Sequence, residues 1–189
     1  MPLNTIEAIS ARYSCRGFSE KMPSDDDLRI IAGAAAAAPS AMNRQPWQVI
    51  VIKNKELVSE LEAEGMKNIS ELPDRNIYKR IVARGGSLFY GAPCMVVLPV
   101  KKAEPPGWEM LDCGILTQNI AIAAASLAID SLICGLAAFS FSGERYEEFK
   151  RRLDFADGYE FGIAVLLGYA AEPGGKPHEL NMNKINVIE

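Results

Sequence analysis

The residues of this sequence best suited to gripping an anion are Arg12, Ser14 and Arg16, which occupy every second position of Arg12-Tyr13-Ser14-Cys15-Arg16. In an extended chain alternate residues share a face, so two forked guanidinium donors and a hydroxyl would stand together. That set suits a dianionic phosphate monoester. A second unusual stretch, Pro39-Ser40-Ala41-Met42-Asn43-Arg44-Gln45-Pro46-Trp47, brackets small and amide residues with prolines. Loops of this kind often bind ligands, and the amides of Asn43 and Gln45 can each donate and accept, as the edge of a heterocycle requires. Chemistry alone leaves other readings open. Most arginines are solvated surface charges, and loop amides commonly hold the loop's own backbone.

Other chemistries find less support. Cys15, Cys94, Cys113 and Cys134 are far apart and form no CxxC pair, so neither a zinc site nor a disulfide framework is expected, and reduced thiols in a cytoplasm fit best. Cys134 has no histidine in sight to activate it and reads as a small apolar core residue. There is no GxSxG elbow, no GxGxxG turn and no P-loop. A net charge of −4 with both signs interspersed gives no footprint for nucleic acid or an anionic membrane. The start of the chain lacks the basic and apolar regions of a signal peptide. The long apolar segment from Trp108 to Ile129 carries Asp112, Gln118 and Asn119 and reads as a buried helix rather than a membrane span.

The elements that must position these residues follow from caps and periodicity. At 189 residues, with 49% hydrophobic and 23% charged, the chain is expected to form one domain over 1–189. Asn4 caps a first helix, Glu7 closes the capping box, Ile6 and Ile9 are expected to face a core, and the helix ends near Arg12. Ser24 caps a second, with Asp25 to Asp27 in its first turn and Leu28, Ile31 and Ala35 at helical spacing; Pro39 stops it. Gln48–Lys53 reads as a strand, Lys55–Lys67 as an amphipathic helix, Asp74–Ala83 as another, then Gly85-Gly86 as a break and Cys94–Val100 as a strand. A loop at Pro105-Pro106 introduces the long apolar helix. Ser142 is expected to cap a helix to about Leu153, and Phe161–Leu167 suits a strand buried on both faces. In the tail, Ile185–Ile188 could add a strand to another subunit.

Taken together, the first two stretches resemble the nitroreductase family. Arg12, Ser14 and Arg16 after the first helix, then an alanine-rich helix leading to Pro39, Ser40, Asn43, Gln45, Pro46 and Trp47 with a strand following, match that family in type and order. Asp112-Cys113-Gly114 with Gln118-Asn119 is similar to the family's long helix at its dimer interface, and Gly168-Tyr169 followed by Lys176-Pro177-His178 is similar to its return to the cofactor phosphate. The resemblance therefore spans the chain. One departure stands out: many relatives carry arginine where this sequence has His178, its only histidine, although Lys176 can supply charge nearby.

The resemblance implies an α+β fold, a mostly antiparallel sheet wrapped by helices with a C-terminal segment extending onto a partner subunit. It implies a homodimer holding FMN at its interface, reduced by NADH or NADPH and reoxidised by a nitro compound, quinone or other small acceptor in a ping-pong cycle. By the same resemblance Arg12, Tyr13, Ser14 and Arg16 hold the phosphate side, with Lys176 and His178 returning to it. Pro39, Ser40 and Asn43 approach from the partner, and Ile133 and Gly135, within Leu132–Leu136, line the ring. The cofactor carries the redox step, so no obligate catalytic acid, base or nucleophile and no metal is expected. Alternatives are a flavin store or sensor without turnover, an interaction or structural domain that has lost flavin binding, which only the His178 departure favours, and a flavin-dependent dehalogenase or dehydrogenase on the same scaffold. The segment between Lys53 and Cys94 would set substrate choice, with Tyr78, Lys79, Phe89 and Tyr90 more readily explained by packing.

Overall fold

The computed structural model describes residues 3–101 and 107–188; the expected loop at Pro105-Pro106 lies outside them. Six α-helices and four strands follow in the order α1 (Thr5–Ala11), α2 (Asp25–Ala36), β1 (Ile50–Ile52), α3 (Lys55–Ser70), α4 (Asn76–Ala83), β2 (Cys94–Lys101), α5 (Glu109–Ser126), β3 (Asp130–Cys134), α6 (Tyr146–Arg152) and β4 (Tyr159–Gly168). The strands form one antiparallel sheet in the order β1-β2-β4-β3. The architecture is α+β, as expected.

Why β2 and β4 occupy the middle is visible in their composition. A strand covered on both faces must be apolar at successive positions rather than alternate ones, and Cys94–Leu98 and Ala164–Leu167 are fully buried. Cys94, Val96 and Leu98 pack with Leu116 and Ile120 of α5 and Ile31 of α2. Met95, Val97 and Leu166 face the other way, onto Leu61 and Ile69 of α3 and Phe149 of α6. Burying each such side chain contributes about 1.5–3 kcal/mol, so two cores share one sheet. Pro99 cannot donate to a ladder, and the register shifts beside it, Leu98 facing Ile163 and Pro99 facing Phe161. Gly162 is the bulged residue; a Cβ there would stand 2.7 Å from the Leu98 carbonyl oxygen and 2.9 Å from Cys113 Sγ.

The caps expected at Asn4 and Ser24 form. The Asn4 side chain accepts from the Glu7 amide at 3.0 Å while Glu7 accepts from the Asn4 amide at 2.9 Å. Ser24 accepts from the Asp27 amide, and a cap not foreseen from sequence, Asn54, accepts from the Leu57 amide at the start of α3.

Two expectations, for α1 and for Ser142, are corrected. Ile6 and Ile9 do not enter a core: Ile6 is 71% exposed and Ile9 44%, and α1 buries Ala8 instead. Ser142 does not cap a helix; its hydroxyl donates to the Phe139 carbonyl, Gly135–Phe141 is 3-10 helical, and α6 begins only at Tyr146. Asp130–Cys134, not foreseen as a strand, is β3. The patch from Ile185 to Ile188, expected to pair with another subunit, is exposed in the single chain, Ile188 by 95%.

Candidate functional site

The Arg12–Arg16 strip is held in place by the free edge of β3. Ser14 bridges Ser131 in parallel, and the Cys15 amide donates to the Ser131 carbonyl at 3.0 Å. Two residues on, Phe18 bridges Ala170 just beyond β4, and the Ala171 amide donates to the Gly17 carbonyl. The strip is therefore extended because the sheet makes it so, and its alternation buries Cys15 while leaving Arg16 exposed and Ser14 half-buried.

Tyr13, Ser14 and Arg16 meet Lys176 around one open hollow of about 380 Å³, completed by Cys15, Gly17, Ala170, Ala171, Glu172 and Gly175. The Arg16 guanidinium donates to the Ser14 carbonyl at 3.4 Å. Among the described residues neither Arg16 nor Lys176 forms an ion pair, although Glu172 also lines the hollow. Arg12 is not brought into this group. It lines a neighbouring hollow of about 210 Å³ with Ala125, Ala128, Asp130 and Ser131, and Tyr13 lines both.

The tail reaches Tyr13 through a glycine. Gly174 adopts φ +107°, a left-handed conformation that costs glycine little. It sets Gly175 so close to Tyr13 that an added Cβ would fall 2.0 Å from the ring. Asp130 fixes the other side: its carboxylate accepts from the Ala170 amide at 2.8 Å. Burial first, then the charge of Asp130 and a hydrogen bond to it, push the Tyr13 phenol well above its ordinary value, so it stays protonated at neutral pH. Asp130 and Gly175 are the neighbours that sequence reading missed. Their only local signals are an acid directly after a helix and a Gly-Gly pair, and neither points to Tyr13.

The remaining candidates lie apart from this hollow. His178 is exposed further along the tail and does not line it. Pro39, Ser40 and Asn43 sit in the loop between α2 and β1. Ser40 Oγ accepts from the Gln45 amide at 2.9 Å, and Gln45 Nε2 donates to Asn43 Oδ1 at 2.9 Å. The amides thus brace their own loop. Met42, Asn43 and Gln45 all have left-handed backbones, at φ 54°, 52° and 45°. Three such residues within four positions store local strain of the kind found at ligand-binding loops. Trp47 is buried in the α2–α5 core and bridges Val100, which anchors the loop's far end. Ile133 on β3 is 41% exposed, an apolar side chain facing outward, and Gly135 follows the strand with open space where a Cβ would be.

The four cysteines are buried and free. Burial raises every thiol, Cys94 to about 12 and Cys113 to about 11, the latter helped by Asp112 and Glu109. For Cys134 burial leads, partly offset by backbone hydrogen bonds at Ala137 and Leu136 and by the positive charge of Arg84. None is poised as a nucleophile at neutral pH. Among the described residues no cluster of His, Cys, Asp and Glu is arranged to hold a metal. No described helix is long and apolar enough to cross a membrane.

This helix-covered antiparallel sheet has counterparts among known proteins. The sequence profile of the Nitroreductase family matches residues 9–169, and the chain belongs to that family. A crystal structure of a nitroreductase with bound FMN from Desulfitobacterium hafniense superposes with a TM-score of 0.93 at 50% identity, covering 100% of both chains. A second, also with bound FMN, from Bacteroides fragilis superposes with a TM-score of 0.88 at 25% identity, covering 99% of this chain and 100% of the other. A protein of Methanothermobacter thermautotrophicus, named as a candidate NADH dehydrogenase/NAD(P)H nitroreductase, is 25% identical over 187 residues, 98% of this chain and 87% of its own.

Proposed function

We propose that this protein is an FMN-dependent oxidoreductase that uses NADH or NADPH, with residues 1–189 forming one flavin-binding domain. The observation that carries the reading is the hollow where Arg16 and Lys176 meet the Ser14 hydroxyl without an anionic partner. Cations left unpaired beside a hydroxyl suit a phosphate monoester, and the FMN-bound relatives place that cofactor on the same fold.

Ser14, Arg16 and Lys176 bind the ribityl phosphate, each as a hydrogen-bond donor. Tyr13, neutral and wedged against Gly175, keeps the tail seated beside them. Arg12, one hollow away, extends the positive field toward the ribityl chain, and His178 adds a weaker donor from the tail. Ile133 and Gly135 offer an apolar face and an open backbone to the ring. When bound, FMN accepts hydride from NADH or NADPH and passes it to a nitro compound, a quinone or a similar acceptor in alternating half-reactions. No side chain of the chain is assigned as acid, base or nucleophile.

The working unit in this reading is a homodimer in which Pro39, Ser40 and Asn43 approach the flavin bound mainly by the partner. Apolar side chains left in water support it: Ile6 on α1, Met110 and Leu111 at the start of α5, and Leu180, Val187 and Ile188 along the tail. Four buried, unpaired thiols fit a reducing cytoplasm.

Substituting Arg16→Ala together with Lys176→Ala tests the phosphate assignment. The variant is expected to fold and dimerise as the parent does, yet purify without flavin and bind added FMN at least about 100-fold more weakly, since each charged hydrogen bond contributes about 1.5–3 kcal/mol. FMN affinity equal to the parent's would remove the assignment.

A further inference from the structure

Residues 75–91 hold a second group of cations that the flavin reading leaves unused. In a chain of net charge −4, this stretch carries Arg75, Lys79, Arg80 and Arg84 and not one carboxylate. All four are exposed, and among the described residues none forms an ion pair or a side-chain hydrogen bond. Two of them stack on aromatic faces instead: the Arg75 guanidinium lies 4.8 Å from the Tyr78 ring centre and that of Arg84 4.5 Å from the Tyr90 ring centre. The nearby acids have other partners: Glu62 accepts from the Ser87 hydroxyl and the Phe89 amide, and Asp74, which precedes Arg75, accepts from the Asn76 amide.

The strip has a definite position. Its far end borders the proposed flavin site, because the Tyr90 carbonyl accepts from the Phe18 amide at 2.9 Å, two residues beyond Arg16. Arg84 also lies near enough to Cys134, the last residue of β3, for its charge to act on that thiol. From Arg75 to Arg84 the helix spans about 14 Å at 1.5 Å per residue. A single carboxylate would occupy one end of such a strip. A ligand with phosphates at separated points and a purine to stack on an exposed guanidinium plane, itself laid over an aromatic ring, would use its whole length.

We propose that α4 and its flanking arginines form the docking strip for the adenosine 2′-phosphate end of NADPH, and that they select NADPH over NADH. This rests on the reductase reading above and adds which reductant serves it. The strip acts on binding alone: the hydride donated is the same in both reductants, and only the extra phosphate meets the cations.

The test uses the flavin-loaded protein, with adenosine 2′,5′-bisphosphate and adenosine 5′-monophosphate as probes in calorimetric titrations, for the parent and for the variant Lys79→Gln/Arg80→Gln/Arg84→Gln. The substituted side chains form no hydrogen bond or ion pair among the described residues and only Arg84 gives up a stacking contact, on Tyr90, so melting temperature is expected to fall by no more than about 5 °C and flavin content to match the parent's. The parent is expected to bind the bisphosphate at least about tenfold more tightly than the monophosphate. The variant is expected to lose that advantage while its affinity for the monophosphate moves less than about threefold. Adding salt should weaken only the bisphosphate steeply. Equal affinity for the two probes in the parent, or an unchanged preference in the variant, would overturn the proposal. Stopped-flow reduction separates the two readings. Equal flavin reduction rates with NADH and NADPH at limiting concentration would remove the selectivity and keep the reductase, whereas a flavin reduced by neither would remove the reductase, leaving the probe titrations to decide the strip.

Discussion

Two pairs of arginines in this molecule have the same chemistry and different company. Arg145 and Arg152, on and beside α6, share Glu60 and Glu148: Arg145 reaches Glu60 at 3.0 Å and Glu148 at 2.6 Å, and Arg152 reaches them at 2.7 Å and 3.1 Å. Both also lie over the buried ring of Phe149, at 4.6 and 5.8 Å. Arg12 and Arg16, on the strip beside β3, have no carboxylate partner among the described residues. The first pair is consumed in fastening α6 to α3. The second remains available to a ligand. Charge count and exposure do not separate such arginines; partnership does.

That difference predicts that stability and flavin binding separate under substitution. The largest effect is expected beneath the paired arginines. Phe149→Ala removes a fully buried ring and should cost about 3–5 kcal/mol, lowering the melting temperature by about 10 °C or more by calorimetry. FMN affinity per folded molecule should hardly change. The reverse is expected for Arg12→Ala/Arg16→Ala: copurifying flavin is lost, with affinity reduced at least about 100-fold, while the melting temperature stays close to the parent's. A variant that lost both properties in either experiment would break the comparison.

A smaller effect sharpens the geometry of the strip. Gly175→Ala drives a methyl group into the Tyr13 ring, so either the ring or the tail must move. FMN binding should weaken by about tenfold, with little change in melting, because the tail is exposed throughout. The smallest effect concerns acid. Arginine hydrogen bonds first, with their charge, pull Glu60 and Glu148 down from the usual 4.5 to about 2. A carboxylate depressed in the folded state stabilises fully above its unfolded value and loses that contribution as pH falls toward the folded one. Thermal melts should therefore decline between about pH 4.5 and 2, and Glu60→Gln/Glu148→Gln should flatten that limb, modestly because both groups face water.

The same contrast accounts for what could be read from sequence. Caps at Asn4 and Ser24 and the buried runs of β2 and β4 are local signals, and the elements they announce are present. Asp130–Cys134 escaped because five residues directly after an alanine-rich helix become a strand only through pairing with Ser131's neighbours on β4, a contact across more than thirty positions. Ile6 and Ile9 show the limit of periodicity: an apolar helix face reads alike whether it meets a core or stays uncovered in one chain. At the site, the alternation of Ser14 and Arg16 was legible because β geometry is periodic. The wedge of Tyr13, Gly175 and Asp130 was not, since it joins the start, the end and the middle of the chain by tertiary packing alone. For Arg12 the strip has the expected alternation, but Tyr13 stands between it and the hollow that Arg16 shares with Lys176.

The central claim is that unpaired cations beside β3 hold a redox flavin. Its most direct test is the visible absorption spectrum of the purified protein, recorded before and after anaerobic addition of NADPH, with the cofactor then released by heat and identified. The account predicts a yellow protein carrying FMN whose absorbance bleaches with the reductant. A colourless protein that also fails to take up added FMN would contradict it.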